Sequence, residues 1–375
     1  MGKNPQHLGD HDASFANPDG RLQRYAFLGP RGTFCQQALN QVAAENTALH
    51  IPALDAPRAI DLVRQGKADY AVVPIENSVE GGINATLDAL GKDARLVITG
   101  EVIVPISFVL AVKDGTHLSD IRRISTHNAA WTQCRDWIMA NLPAVEYLPA
   151  ASTAAGAAHL MESDAPGYEA TLVSPLAAKK YGLTVLRDDV ADNPDAQTRF
   201  VVIGKAGEIP SPTGKDKTTL LVQLPTDAAG ALLQLLTQFA ALGINLSRIE
   251  SRPVGDALGR YAFSIDAIGH IAEQRMRAVL AGLHRVSPKV TFLGSYPAAP
   301  IPATARSAQR NPLPEHHSHH AAGSHAQDPA AANGTTPKEH SLHKLTANQP
   351  TPGTRDADFY AANAWVESLL GKQFS

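Results

Sequence analysis

Four short polar segments of this chain hold the side chains from which chemistry could be built. Gly29-Pro30-Arg31-Gly32-Thr33-Phe34 reads as a turn from a strand into a helix, where backbone N–H groups and the Thr33 hydroxyl can meet an anion or serve only the turn itself. Pro74-Ile75-Glu76-Asn77-Ser78-Val79-Glu80-Gly81-Gly82 places polar groups at the end of a strand, where an α/β cleft opens; it reads equally as a helix-capping turn or a ligand loop. Thr126, His127 and Gln133 surround the start of a predicted helix. His127 has the chemistry of a general base, but no sequence neighbour orients it, so a packing role stays open. Asp195-Ala196-Gln197-Thr198-Arg199-Phe200 runs from a polar turn into a strand and sets a hydroxyl beside a guanidinium, the group suited to forked contact with a carboxylate.

Such segments need a scaffold that gathers strand ends. From residue 24 to 204, β-rich runs alternate with helical patterns, which argues for an α/β architecture. Strands are expected at 25–28, 69–74, 96–112, 123–125, 145–148, 170–173 and 200–203, and helices at 33–46, 57–65, 84–90, 129–140, 153–161 and 175–181. The apolar run 102–112, broken by Pro105, is the expected crossover between two lobes, with the strand at Phe200 returning to the first and leaving a cleft between them. Residues 207–217 read as a linker. Beyond it, the order strand, helix, strand, strand, helix, strand over 218–297 is the ferredoxin-like plan. The sheet offers chiefly Tyr261 and Phe263 as aromatics, too few for RNA stacking.

Composition narrows the function further. At about 150 residues per domain, 375 residues allow two or three compact units. A net charge of -3, from 33 Lys plus Arg against 36 Asp plus Glu, argues against a nucleic-acid partner. Two cysteines, Cys35 and Cys134, make neither a disulfide framework nor a zinc cluster. With no secretion-type N-terminus and no membrane-length apolar run, a cytoplasmic protein is expected. Residues 1–23 are expected to be flexible. Residues 298–354, rich in His, Pro and Ala, are expected to be a disordered linker, with His316, His317, His319 and His320 at most an adventitious metal ligand set. In 355–375, Phe359, Ala362, Val366, Leu369 and Leu370 recur at helical spacing around Trp365; this short amphipathic helix could dock on its own chain or on another.

Taken in order, Pro74-Ile75-Glu76-Asn77-Ser78, Thr198-Arg199-Phe200, Gly230-Ala231-Leu232-Leu233 and Glu250-Ser251-Arg252-Pro253 resemble prephenate dehydratase followed by an ACT regulatory domain, over about residues 24–297. The resemblance implies a catalytic domain at 24–206 folded as two lobes like a type 2 periplasmic binding protein, and an amino-acid sensor at 218–297. It implies conversion of prephenate to phenylpyruvate, water and carbon dioxide, with no cofactor and no metal. Thr198 then assists departure of the ring hydroxyl, Arg199 clamps a substrate carboxylate, and Glu76, Asn77 and Gln133 complete the catalytic set. Ser78, Thr126, Thr33 and Phe200 are implied as substrate contacts. L-Phenylalanine is the implied feedback inhibitor, bound near Gly230, Ala231, Leu232, Leu233, Asn245, Leu246, Glu250, Ser251 and Arg252 between subunits of a homodimer or homotetramer.

The sequence departs from the family at Cys35, where Ser is common, so any contact there would be weakened. The residues ahead of Arg24 are too few for the chorismate mutase domain that some relatives carry, and mutase activity is not expected. Arogenate dehydratase is the neighbouring chemistry that these motifs hardly distinguish. A non-catalytic amino-acid sensor would be expected to have lost Thr-Arg-Phe, which is intact here.

Overall fold

The structure, a computed structural model, describes residues 21–92, 95–207, 209–225, 229–253, 261–300, 353 and 355–371. The expectations for 1–20 and for nearly all of the His-rich linker lie outside the described residues.

The chain begins with β1 (Gln23–Leu28), α1 (Phe34–Val42), β2 (Ala48–Ala53), α2 (Ala56–Arg64), β3 (Tyr70–Asn77), β4 (Gly81–Gly82), α3 (Asn84–Gly91) and β5 (Leu96–Pro105). Short side chains start the helices: Thr33 caps α1 through Gln36 N, and Asp55 caps α2 through Arg58 N with Pro57 in its first turn. Past Pro105 the chain leaves this sheet and builds β6 (Val109–Val112), β7 (Arg123–Thr126), α4 (Asn128–Gln133), α5 (Arg135–Asn141), β8 (Glu146–Pro149), α6 (Thr153–Glu162), β9 (Ala170–Val173), α7 (Pro175–Tyr181) and β10 (Thr184–Arg187). It returns as β11 (Gln197–Lys205), then forms β12 (Asp216–Gln223), α8 (Ala231–Ala240), β13 (Leu246–Pro253), β14 (Tyr261–Ile268), α9 (Gln274–Val286), β15 (Lys289–Pro297) and finally α10 (Asp356–Gly371).

Among the described residues these strands form three sheets. The first has the order β2-β1-β3-β11-β5 with β4 attached to β3, the second β10-β6-β9-β7-β8, and the third β13-β14-β12-β15. The strand expected over 96–112 is therefore two strands in two sheets, divided after Pro105. The helix expected over 129–140 is also two, because Cys134 leaves helical geometry and Asp192, from far along the chain, accepts Asp136 N and Trp137 N at 3.0 Å each. Strands β2 and β10 lie at sheet edges and were not expected; Pro52 in β2 is tolerated because an edge strand has a side that needs no ladder bond.

One face of the first sheet packs Val73, Ile75, Ile98, Val201 and Ile203 against Leu293 and Tyr296 of β15, while the other packs Val72, Phe200 and Val202 against Tyr25, Phe27 and Leu39. The ferredoxin-like domain thus supplies part of the first lobe's core. Contact at this seam is backbone on backbone: Gly294 of β15 has φ 141° and lies so close to β5 that a Cβ would land on the Ile98 carbonyl. The open question about the terminal helix resolves onto its own chain. Ala362 and Val366 are buried against the α9 side of the ferredoxin-like domain, the Trp365 ring stacks on His284 at 4.8 Å, and Arg285 lies 4.0 Å from the Phe359 ring centre.

Gly294→Ala should therefore lower thermal stability sharply, since the backbone strain alone costs about 1–3 kcal/mol before any clash with Ile98. An unchanged melting temperature by calorimetry would mean that β15 does not approach β5 this closely.

Candidate active site

The end of β3 and the start of the antiparallel β11 define the centre. Thr198 at the start of β11 pairs with Asn77 at the end of β3, and Asn77 Nδ2 donates to Thr198 Oγ1 at 3.0 Å. The amide cannot turn over freely, because Asn77 Oδ1 accepts Val79 N at 2.8 Å and Glu80 N at 3.1 Å in the turn that follows. With its oxygen accepting from Asn77, the Thr198 hydroxyl is left to donate its own proton elsewhere. Ser78 fixes the same strand ends: its backbone N donates to Gln197 O and its Oγ accepts Gln197 N, both at 2.9 Å.

The second lobe faces this pair. Gln133 of α4 is buried, with Nε2 3.5 Å from Glu80 Oε1 and with Oε1 lacking a hydrogen-bond partner among the described residues. Ser174 Oγ donates to Gly32 O at 3.1 Å and Tyr181 Oη to Arg31 O at 3.0 Å, so α7 ties the Gly29–Phe34 loop across the cleft. Gln36 Oε1 accepts Gly32 N at 2.5 Å from within α1.

Other expected site residues have local duties. Thr33 Oγ1 caps α1 and donates to Leu28 O at 3.1 Å. His127 caps α4, its Nδ1 accepting Ala129 N at 3.2 Å. Thr126 does not present its hydroxyl to the cleft as expected: it is fully buried and donates to Leu172 O at 2.7 Å, because β7 turns it toward β9. Phe200 likewise lies in the core of the first lobe. Cys35 is buried and its thiol donates to Val72 O at 3.1 Å, so it packs on the sheet.

Arg199 departs most from expectation. Side chains alternate along β11, so it points to the face opposite Thr198. A register shift between Arg199 and Phe200, with Ile75 as the extra residue on β3, brings Glu76 to Arg199's face and Asn77 to that of Thr198. The side chain is 7% exposed, with Nε 2.6 Å from Glu101 Oε2, Nη1 2.5 Å from Asp266 Oδ2 and 3.3 Å from Glu76 Oε2, and Nη2 2.8 Å from Tyr296 Oη. A donor set engaged in this way, and aimed at the ferredoxin-like domain, is not free to clamp a substrate carboxylate. Lys217 Nζ balances Glu101 at 2.8 Å, and Arg248 Nε reaches Asp266 Oδ2 at 2.9 Å. Burial acts to raise the Asp266 pKa, but Arg199 and Arg248 outweigh it and hold the carboxyl well below the usual range. Burial also opposes the Arg199 charge, and Tyr296, Asp266 and Glu101 overcome it, so this proton is held more tightly than usual.

The expected effector residues fall into two groups. Gly230, in the left-handed conformation with φ 85°, caps α8 beside Ala231 and Leu232, with Leu233 68% exposed. Asn245 and Ser251 are exposed and Leu246 is half-buried. Glu250 and Arg252 instead face the catalytic lobe. Glu250 lies against Gly82, where an added Cβ would meet its carboxylate, and Arg252 Nη2 is 2.5 Å from Asp88 Oδ1 of α3. Glu101, Asp266, Lys217 and Tyr296 were not singled out from the sequence. The two acids carried a signal, each being a lone carboxylate inside an otherwise apolar strand.

Two lobes around a polar cleft of hydroxyl and amide donors, followed by a ferredoxin-like domain, are the architecture of a small-molecule enzyme. The model of the prephenate dehydratase family matches residues 25–208. Prephenate dehydratase of Mycobacterium ulcerans is 41% identical over 284 residues, covering 74% of this chain and 89% of that protein. A crystal structure of prephenate dehydratase in complex with L-Phe from Arthrobacter aurescens matches with TM-score 0.69 at 46% identity, over 93% of this chain and 99% of that one. A solved protein described as a novel type of quorum quenching acylase matches with TM-score 0.66 at 30% identity, over 74% of this chain and 99% of its own. This chain belongs to the prephenate dehydratase family and is a carbon–oxygen lyase. No described helix is long and apolar enough to cross a membrane.

Both thiols should be silent in the folded protein. Burial pushes Cys35 up to about 12 and, with help from Asp192, raises Cys134 as well. A water-soluble disulfide reagent at neutral pH should therefore titrate neither cysteine until denaturant is added; rapid labelling of the native protein would place a thiol in the open cleft.

Proposed function

We propose that the cleft at Asn77 and Thr198 removes carbon dioxide and water from prephenate to give phenylpyruvate. The observation that carries this reading is the oriented Asn77–Thr198 hydrogen bond, which leaves a hydroxyl proton to be donated into the cleft. As the bond to the ring carboxylate breaks, its electron pair enters the ring and expels the ring hydroxyl, so the ring becomes aromatic. Thr198 stabilises the departing oxygen by hydrogen bonding, and a proton relayed through it from water completes release of water. An ordinary Thr is a weak acid, so its contribution is placement more than acidity.

Glu76 stands on the Arg199 face of β3 and bears on the site through its strand, whereas Gln133, Ser78 and Glu80 form the polar wall of the cleft. The unpartnered Gln133 Oε1 supports a ligand-facing role, because a buried amide oxygen left alone is costly until something donates to it. Arogenate differs from prephenate by an amino group in place of the keto oxygen, and the same donors would serve it.

L-Phenylalanine is the proposed feedback inhibitor, bound at the open end of α8 and the loop at Asn245 and Leu246. Strand β13 is an unpaired edge of the third sheet with Ile249 exposed, which supports assembly of a homodimer or homotetramer through this domain. A cytoplasmic location belongs to the same reading, as do the domain limits 24–206 and 218–297.

An ultraviolet assay for phenylpyruvate should detect turnover of prephenate, suppressed by L-phenylalanine, with arogenate as the comparison substrate. Thr198→Ala should lower kcat by roughly 100-fold or more while the fold is retained, the scale of a lost positioned donor. Turnover close to that of the parent would remove Thr198 from the mechanism.

A further inference from the structure

We infer that Arg199 is a positioning residue, and that the ion-pair chain Arg199–Asp266–Arg248–Glu250 makes the ferredoxin-like domain a wall that holds Thr198 against Asn77. This inference rests on the assignment of the cleft above and says what fixes its geometry. Both members of the donor pair are backed by the same network. Thr198 is the immediate neighbour of Arg199, whose guanidinium meets Asp266 of β14 at 2.5 Å and Tyr296 of β15 at 2.8 Å. Asp266 is shared with Arg248 at 2.9 Å, and Arg248 Nη1 meets Glu250 Oε2 at 2.7 Å.

Glu250 then lies on Gly82, and Gly82 and Gly81 pair with Glu76 and Asn77 in the β3–β4 hairpin. The contacts form a closed ring that leaves Thr198 on the first lobe, crosses the ferredoxin-like domain, and comes back to Asn77. Thr219 steadies the middle, its Oγ1 lying 2.7 Å from Asp266 Oδ1 and 2.6 Å from Tyr296 Oη. A buried charge cannot be left unpaired cheaply, so the ferredoxin-like domain cannot shift against the first sheet without Arg199 following it. Movement of Arg199 by a fraction of an ångström carries Thr198 with it, and a donor displaced that far loses much of its effect on the transition state.

The full chain carrying Asp266→Asn, Arg199→Lys or Gly82→Ala tests this. For each variant kcat and KM for prephenate are determined separately, and hydrogen exchange is followed in peptides spanning 74–82 and 197–205. Asp266→Asn should lower kcat by about tenfold or more with KM within about threefold, the pattern of a lost transition-state interaction. Exchange should quicken in both peptides. Arg199→Lys, which keeps charge without the fork, should lower kcat less than a fourth variant, Arg199→Met, which removes the charge. Gly82→Ala displaces only the end of the Glu250 side chain, so it should fold even if Asp266→Asn does not, and it should lower kcat in the same direction.

Parental kcat and exchange in Asp266→Asn or Gly82→Ala would overturn the proposal. So would a large rise in KM at constant kcat in Arg199→Lys, which is the behaviour of a substrate clamp. If the parent itself failed to turn over prephenate, the reading of the reaction would fail, and the exchange measurements would still decide the network: unchanged exchange in both peptides overturns it.

Discussion

A guanidinium buried at the seam of two domains dictates much of this architecture. Arg199 cannot lose its proton and cannot be solvated where it lies, so carboxylates must surround it. Glu101 comes from the first lobe and Asp266 from the ferredoxin-like domain; each brings a second cation, Lys217 or Arg248, that keeps the cluster near neutrality. Such a cluster adds little net stability over an apolar seam, but removing one member costs about 3–5 kcal/mol because it strands the others. Its value is geometric. It joins with the apolar contacts of Leu293 and Tyr296 to fix one arrangement of two domains that could otherwise slide.

The reacting end of the molecule is simpler. Strand pleating sorts adjacent residues to opposite faces, and the extra residue at Ile75 decides which of Glu76 and Asn77 joins Thr198. One face then holds a hydroxyl and an amide in a fixed hydrogen bond; the other holds the ion cluster. On the proposed assignment, the reacting pair and its support are separated by the thickness of a single strand. On the same assignment, Arg199 is turned away from the cleft and the oriented amide and hydroxyl donors meet the substrate, which suits a reaction in which one carboxylate has to give up its charge to the ring.

Much of this was legible beforehand, in particular places. The strand-end positions of Asn77 and Thr198, the crossover after Pro105 and the βαββαβ order all follow from local pattern. What was hidden depended on distant parts of the chain. The break at Cys134 needs Asp192, which follows β10 far along the chain, to cap the second helix. The buried state of Thr126 needs the Leu172 carbonyl, and the placing of Glu76 beside Arg199 and of Asn77 beside Thr198 needs a bulge in β3 that no residue type announces. Asp266 and Glu101 were readable as lone acids in apolar strands, yet their common partner could not be known until the third sheet was placed against the first.

The central claim is that Thr198 meets the substrate while Arg199 stays with the ferredoxin-like domain. A crystal structure with a ring-saturated prephenate analogue, which cannot become aromatic and so cannot react, tests it most directly. The ring hydroxyl should lie within hydrogen-bond reach of Thr198 Oγ1, with Arg199 still paired to Asp266 and Glu101. A structure in which Arg199 has left Asp266 to grip a carboxylate of the analogue would contradict it.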